Sequence, residues 1–312
     1  MAIEWYPGHM VAARKEAALA MRKTDVVIEV LDARVPRSSK NPVIEQLRKQ
    51  NQRAALKILN KSDMADPERT RLWLAHYNAQ PGVKAVALSA KKPNEVKRIP
   101  EYAKALAPHR NSLLKPLRMM ILGIPNVGKS TLMNTLLRRS VTKVGDEPAV
   151  TKMQQRHELG TGMWLTDTPG MMWPGIGEDI GLKLAATHSI GKNAYDVAEV
   201  ATALGAYLLV HYRECLEQRF GAIPADCSGH ALLGVVAQRR GFVARGGVPD
   251  LERTARSFLG EFRDGSLGRI SLETPDDEAE DDVDAASAAE SLAADALPGA
   301  SDVPASDDLP DE

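Results

Sequence analysis

Gly123-Ile124-Pro125-Asn126-Val127-Gly128-Lys129-Ser130 lies between an apolar run over residues 118–122 and a segment of helical spacing over residues 129–137. Strand, glycine-rich turn and helix in that order make a phosphate cradle. The glycines let backbone N–H groups turn inward, and the helix N-terminus adds partial positive charge. Lys129 is expected to reach the β- and γ-phosphates of a nucleoside triphosphate, and Ser130 to bind Mg²⁺ through its hydroxyl. Val127, Gly128 and Thr131 complete the expected contacts at this end.

Outward from this loop, three more motifs each follow a predicted strand. Asn60-Lys61-Ser62-Asp63 ends the strand over 54–59, Ser89-Ala90-Lys91 ends the strand over 83–88, and Asp167-Thr168-Pro169-Gly170 follows the strand over 163–166. The Asp63 carboxylate can accept two N–H donors from one edge of guanine, a pair that adenine cannot offer. Asn60 orients this turn and touches the base edge, the Lys61 stem can lie over the ring, Ser62 sits within the turn, and the Ala90 N–H is the expected donor to the guanine carbonyl. Alone, Asn-Lys-x-Asp is a weak surface-turn signal; it gains force because both base motifs terminate strands. Asp167 is the second magnesium-side residue, acting through water, and the Gly170 N–H can contact the γ-phosphate. Thr151 is placed by order and spacing in a switch loop over Mg²⁺, since residues 145–154 show no clear periodicity. The expected ligands are therefore GTP or GDP with Mg²⁺.

The base-reading half precedes the phosphate-reading half. In an ordinary GTPase the phosphate loop comes first, so the chain reads as a circular permutation, which an α/β domain tolerates when its termini lie close together. The fold expected is α/β: a circularly permuted P-loop GTPase domain with a mostly parallel sheet over residues 1–177. Helical spacing over 180–190, 194–220, 232–240 and 250–264 predicts an all-α domain over 178–272, for which the charge balance below makes RNA a candidate contact. The Ala- and Ser-rich acidic tail, 273–312, has too little large apolar surface to order and is expected to be disordered.

Composition supports a nucleic-acid partner. Residues 276–312 hold 14 acidic side chains and no Lys or Arg; removing those from the 41 acidic residues leaves 27 against 40 basic ones in residues 1–275, a net of +13. A body this basic suits a polyanion, although a solvated basic surface gives the same count. Neither a membrane-spanning run nor a secretory pattern is evident, and Cys215 and Cys227 do not make a disulfide framework, so a cytoplasmic protein is expected, monomeric when free. His211, Cys215, Cys227 and His230 fit ordinary helix positions better than a zinc site.

Taken together, these motifs resemble the circularly permuted GTPases of the YlqF/RbgA type. Three further stretches carry the resemblance: Trp5-Tyr6-Pro7-Gly8-His9-Met10, Leu31-Asp32-Ala33-Arg34-Val35-Pro36 with Ser38-Ser39, and the segment from Asp250-Leu251-Glu252-Arg253 to Gly268-Arg269-Ile270. The resemblance implies a GTPase that binds a late precursor of the large ribosomal subunit, touching ribosomal RNA and ribosomal proteins, and promotes its maturation with hydrolysis as the release switch. A nucleotide-dependent RNA placeholder with incidental hydrolysis, and a GTPase acting in RNA modification or on mature ribosomes, stay open at this point. The family usually has Pro-Gly-x-Thr before its switch threonine; here it is Pro148-Ala149-Val150-Thr151.

Many GTPases place a glutamine after the Asp-x-x-Gly segment to orient the attacking water. Met171 stands there in this chain. The resemblance points instead to His9, whose neutral imidazole can hold a water or accept a proton; on the residues alone, His9 reads equally as structural. Lys129, Thr151 and His9 form the candidate catalytic set. Asn126 is a candidate ligand for K⁺ near the β/γ bridge, or else a loop-stabilising amide.

Overall fold

Strand β1 (Val26–Asp32) is buried at all seven positions, as an apolar run at the centre of a parallel sheet must be. The computed structural model describes residues 9–110, 112–137, 155–160, 162–244 and 246–279, and of residues 9–13, 155 and 279 the backbone alone. Strands β2 (Ala54–Asn60), β3 (Val83–Ala87), β4 (Leu117–Leu122), β5 (Gln155–Gly160) and β6 (Met163–Asp167) complete a sheet of order β3-β2-β1-β4-β6-β5. Every pairing is parallel except β5 with β6. The chain winds from β1 through β2 to β3 on one side and starts the other side at β4. The crevice between β1 and β4 is therefore a topological switch point, where open α/β sheets bind ligands at the carboxyl ends of their strands. All four motifs follow such ends.

Helices α1 (His9–Arg22), α2 (Pro42–Gln50), α3 (Pro67–Asn78), α4 (Pro93–Val96), α5 (Ile99–Leu106) and α6 (Lys129–Leu137) accompany these strands. Side chains cap α2 and α3: Asn41 accepts from Val43 and Ile44 N–H, and Asp66 from Glu68 and Arg69 N–H, with proline at the first turn of each. A buried ion pair links the two central strands β1 and β2. Glu29 and Lys57 are register partners on β1 and β2 with Nζ to Oε2 at 2.5 Å, and Tyr77 of α3 presents its ring to the ammonium. Two charges so deeply buried are tolerated because each neutralises the other.

A second core belongs to α7 (Glu178–Ala186), α8 (Val197–His211), α9 (Arg213–Phe220), α10 (Gly229–Arg240) and α11 (Leu251–Asp264), with α8 touching the other four. Its buried side chains include Leu204, Leu208, Leu232, Phe258 and Phe262, and Val35 enters it from the loop after β1. The helix read over 194–220 is in fact two. Tyr212 adopts φ −140°, ending α8 and starting α9, because its hydroxyl donates to Asp66 Oδ2 (2.9 Å) and accepts from Ser271 N–H (3.2 Å). These ties to remote segments hold the residue out of helical geometry.

Residues 273–279, which the sequence assigns to the tail, are described and in part packed. Glu273 is fully buried, and α12 (Asp276–Ala279) follows, with Glu278 paired to Lys40 and His76. The switch stretch 145–154, with Ala149 and Thr151, and the tail from 280 onward lie outside the described residues. Among the described residues no helix is long and apolar enough to cross a membrane, and no group of three His, Cys, Asp or Glu residues gathers to hold a metal.

Candidate functional site

The phosphate loop leaves β4 at Leu122 and enters α6 at Lys129. Gly123 has φ +151°, and a Cβ there would lie 2.5 Å from the Val30 carbonyl oxygen, so only glycine lets the loop pass β1. Gly128 has φ +100°, and a Cβ there would collide with the Asn60 side-chain amide. The two motifs that the sequence separates are thus in contact.

Asn60 makes that contact. Its Nδ2 donates to the Val127 carbonyl (2.7 Å), and its Oδ1 accepts from the Ala90 N–H (2.8 Å). One buried amide therefore joins the phosphate loop, the Asn60–Asp63 turn and the Ser89–Lys91 turn. The Ala90 N–H, expected to face the guanine carbonyl, is engaged by Asn60 in this structure. Ser89 N–H is held by Glu95 Oε2 (2.8 Å), while Lys91 is exposed.

Lys61 sits at φ +62°, a conformation unfavourable for a residue with a side chain. Its ammonium is 2.8 Å from Asp32 Oδ2, and Asp32 is gripped on both oxygens by Arg34. Burial alone would raise the Asp32 carboxyl, but the Arg34 and Lys61 cations overcome it and hold it well below the usual carboxylate range. Burial pulls the Lys61 ammonium below its ordinary value, with Asp32 restoring part of the loss. The Lys61 stem, expected over the base, is thereby anchored at its tip. Asp63 is exposed beyond this anchored turn.

At the other end, Lys129 donates to the carbonyls of Gly123 (2.9 Å) and Ile124 (2.7 Å). Burial lowers its ammonium to about 8, against a smaller opposing pull from Asp167. Asp167 closes β6 almost fully buried; burial raises its carboxyl, and Oδ2 has no hydrogen-bond partner. An unpaired buried carboxylate oxygen beside the phosphate-loop lysine fits the Mg²⁺ side of a nucleotide. A Cβ on Gly170 would lie 3.1 Å from Lys129 Nζ and from the Pro125 backbone, so the residue packs directly on the loop. Ser130 and Thr131 open α6, half buried.

Asn126 has φ +59°, and its Nδ2 donates to the His188 carbonyl (2.8 Å) beyond the end of α7. Nothing in the spacing signalled this tie from phosphate loop to helical domain. In the segment after Gly170, Met171, Met172, Trp173 and Ile176 are all buried, and Asn41 Nδ2 donates to the Met171 carbonyl (2.8 Å). Met171 shares a cluster with Ala17 and Met21 of α1, the helix that begins at His9.

A mostly parallel sheet with a phosphate loop after β4 and a guanine-type turn after β2 defines a P-loop GTPase. A family model described as 50S ribosome-binding GTPase matches residues 118–213. The Ribosome biogenesis GTPase A of Bacillus cereus is 37% identical over 287 residues, covering 89% of this chain and 95% of the relative. That of Priestia megaterium is 38% identical over 286 residues, covering 88% and 98%. A GDP-bound structure of TM YlqF superposes with a TM-score of 0.62 at 25% identity, covering 84% of this chain and 99% of the other. The chain belongs to the ribosome biogenesis GTPase A family and is a GTP hydrolase.

Proposed function

We propose that this GTPase binds a late precursor of the large ribosomal subunit, through ribosomal RNA and ribosomal proteins, and promotes its maturation in the cytoplasm, with hydrolysis releasing it. The observation that carries the reading is the match to a 50S ribosome-binding GTPase model, which runs from the phosphate loop across α7 and α8. The names of relatives support it, including the Mitochondrial ribosome-associated GTPase 1 of Bos taurus, 30% identical over 295 residues. The net charge of +13 on residues 1–275 favours an RNA-rich partner.

In this reading Asp63 reads guanine, Lys129 neutralises the β- and γ-phosphates, and the Gly170 N–H meets the γ-phosphate. Ser130, Thr151 and Asp167 would hold Mg²⁺, which supplies charge neutralisation at the transferring phosphoryl group. K⁺ would take the oxygen of the Asn126 amide. Met171 cannot orient water, so that task goes to His9, brought to the γ-phosphate on docking.

Sedimentation with large-subunit precursors and with mature subunits, in GDP and in a non-hydrolysable GTP analogue at fixed salt, tests the reading. Co-sedimentation with precursors in the analogue, lost in GDP, is expected. Equal binding to mature subunits in both nucleotides contradicts it.

A further inference from the structure

The helical domain does not end at α11. Its last residues, 269–273, return across the nucleotide-binding domain and run between two of its loops. On one side lies the base-reading turn: Arg269 donates from Nη2 to the Ser62 carbonyl (3.0 Å) and from Nε to the Ala65 carbonyl (2.9 Å), and Ile270 N–H donates to the Met64 carbonyl (3.0 Å). On the other lies the loop after β1: Leu272 N–H donates to the Arg34 carbonyl (2.7 Å), and Ser38 N–H to Glu273 Oε2 (3.1 Å).

We propose that this strap determines base specificity, with Arg269 as the positioning residue for the guanine-reading turn. The argument rests on one peptide unit. The Ser62 carbonyl belongs to the peptide that leads into Asp63, so fixing that oxygen fixes the plane from which the Asp63 side chain departs. Asp63 itself is exposed, so its direction depends on the backbone it leaves. The residue before that peptide, Lys61, is held at an unfavourable φ of +62°. A turn of this kind persists only when its surroundings over-determine it. Several of its restraints reach the helical domain: Arg269 and the Ile270 N–H directly, and Arg34 from the loop after β1, which clamps Asp32 while donating to the Phe262 carbonyl at the end of α11 (3.2 Å). A guanidinium fork spanning two carbonyls of one turn suits orientation better than a single ammonium. By linkage, a partner that pulls on the helical domain changes affinity for the base.

This proposal rests on the assignment of Asp63 as base reader, so the test separates the two. The measurement is the dissociation constant for GDP and for IDP, which lacks the 2-amino group, in the full chain, with thermal unfolding recorded for each variant. Arg269→Ala is expected to weaken GDP about tenfold. It is expected to weaken IDP less, so that the preference for GDP shrinks about threefold or more. Arg269→Lys, which keeps the charge and can hold one carbonyl, should recover part of that preference, and it serves alone if the alanine variant does not fold. An unchanged GDP-to-IDP ratio in the folded Arg269 variants overturns the proposal. If the preference survives Asp63→Asn, the base-reading assignment fails first. If Asp63→Asn abolishes it while both Arg269 variants retain it, only the role of the strap is lost.

Discussion

The side-chain amide of Asn60 donates to the Val127 carbonyl across 2.7 Å, joining two residues 67 positions apart in the chain. Its oxygen takes the Ala90 N–H at the same time. Asn60 is thus one of the points at which the permuted halves meet, together with the pairing of β1 and β4. Asn60→Ala leaves a buried carbonyl and a buried N–H unpaired, so a loss of about 2 to 3 kcal/mol in unfolding free energy is expected. Denaturant titration with and without GDP checks this; the GDP-induced stabilisation should shrink as well. A variant as stable as the parent in both series contradicts the tie.

Lys129 predicts a pH dependence. In the nucleotide-free protein its ammonium titrates at about 8, because burial disfavours the charge. Phosphates at the loop favour the charged form, so the bound state holds the proton to higher pH. Nucleotide affinity should therefore be level below pH 8 and decline as pH rises through and beyond it, with proton uptake on binding. Calorimetry at pH 9 in buffers of different ionisation enthalpy reads that uptake directly. The sign for folding runs the other way: the depressed value costs stability below about 8, and the cost is relieved as pH rises toward the ordinary lysine range.

Met171 occupies the position where many GTPases carry a catalytic glutamine, yet it is buried with Ala17, Met21, Val27 and Met120. Met171→Gln should not increase intrinsic hydrolysis. It places an amide among apolar side chains, at a cost of about 1 to 3 kcal/mol. Single-turnover hydrolysis and thermal unfolding check both parts, and a faster variant of unchanged stability contradicts the packing.

The roles of His9 and Asn126 are read in turnover. His9→Ala is expected to lower precursor-stimulated hydrolysis about 100-fold. For Asn126, rates in KCl should exceed those in NaCl, and Asn126→Ala should remove the difference. Equal rates in the two salts would exclude an ion at that amide.

Much of the nucleotide-binding fold is legible in the sequence because burial and motif coincide there. The run at 26–31 has no choice but an interior strand, and Asn41 and Asp66 announce the helices they cap. The edge strand β5 is harder to read, since it lies antiparallel at the margin and alternates exposed with half-buried positions. The break at Tyr212 is not legible, because Asp66 and Ser271 impose it from far away. The same holds within the site. Motif spacing is enough to expect Asn60, Asp63, Lys129, Ser130 and Asp167 around one crevice, and Asn60 does meet the phosphate loop. The partners that hold them (Asp32 on Lys61, His188 on Asn126, Arg269 on Ser62) depend on tertiary contacts with no local signal.

Calorimetric titration of the purified chain with GDP and ADP, repeated with Asp63→Asn and XDP, tests most directly whether the two halves form one guanine pocket. The account predicts binding of GDP and rejection of ADP by the parent, and an exchange of guanine for xanthine preference in the variant. Equal uptake of GDP and ADP by the parent, or an Asp63→Asn variant with unaltered base preference, would contradict it.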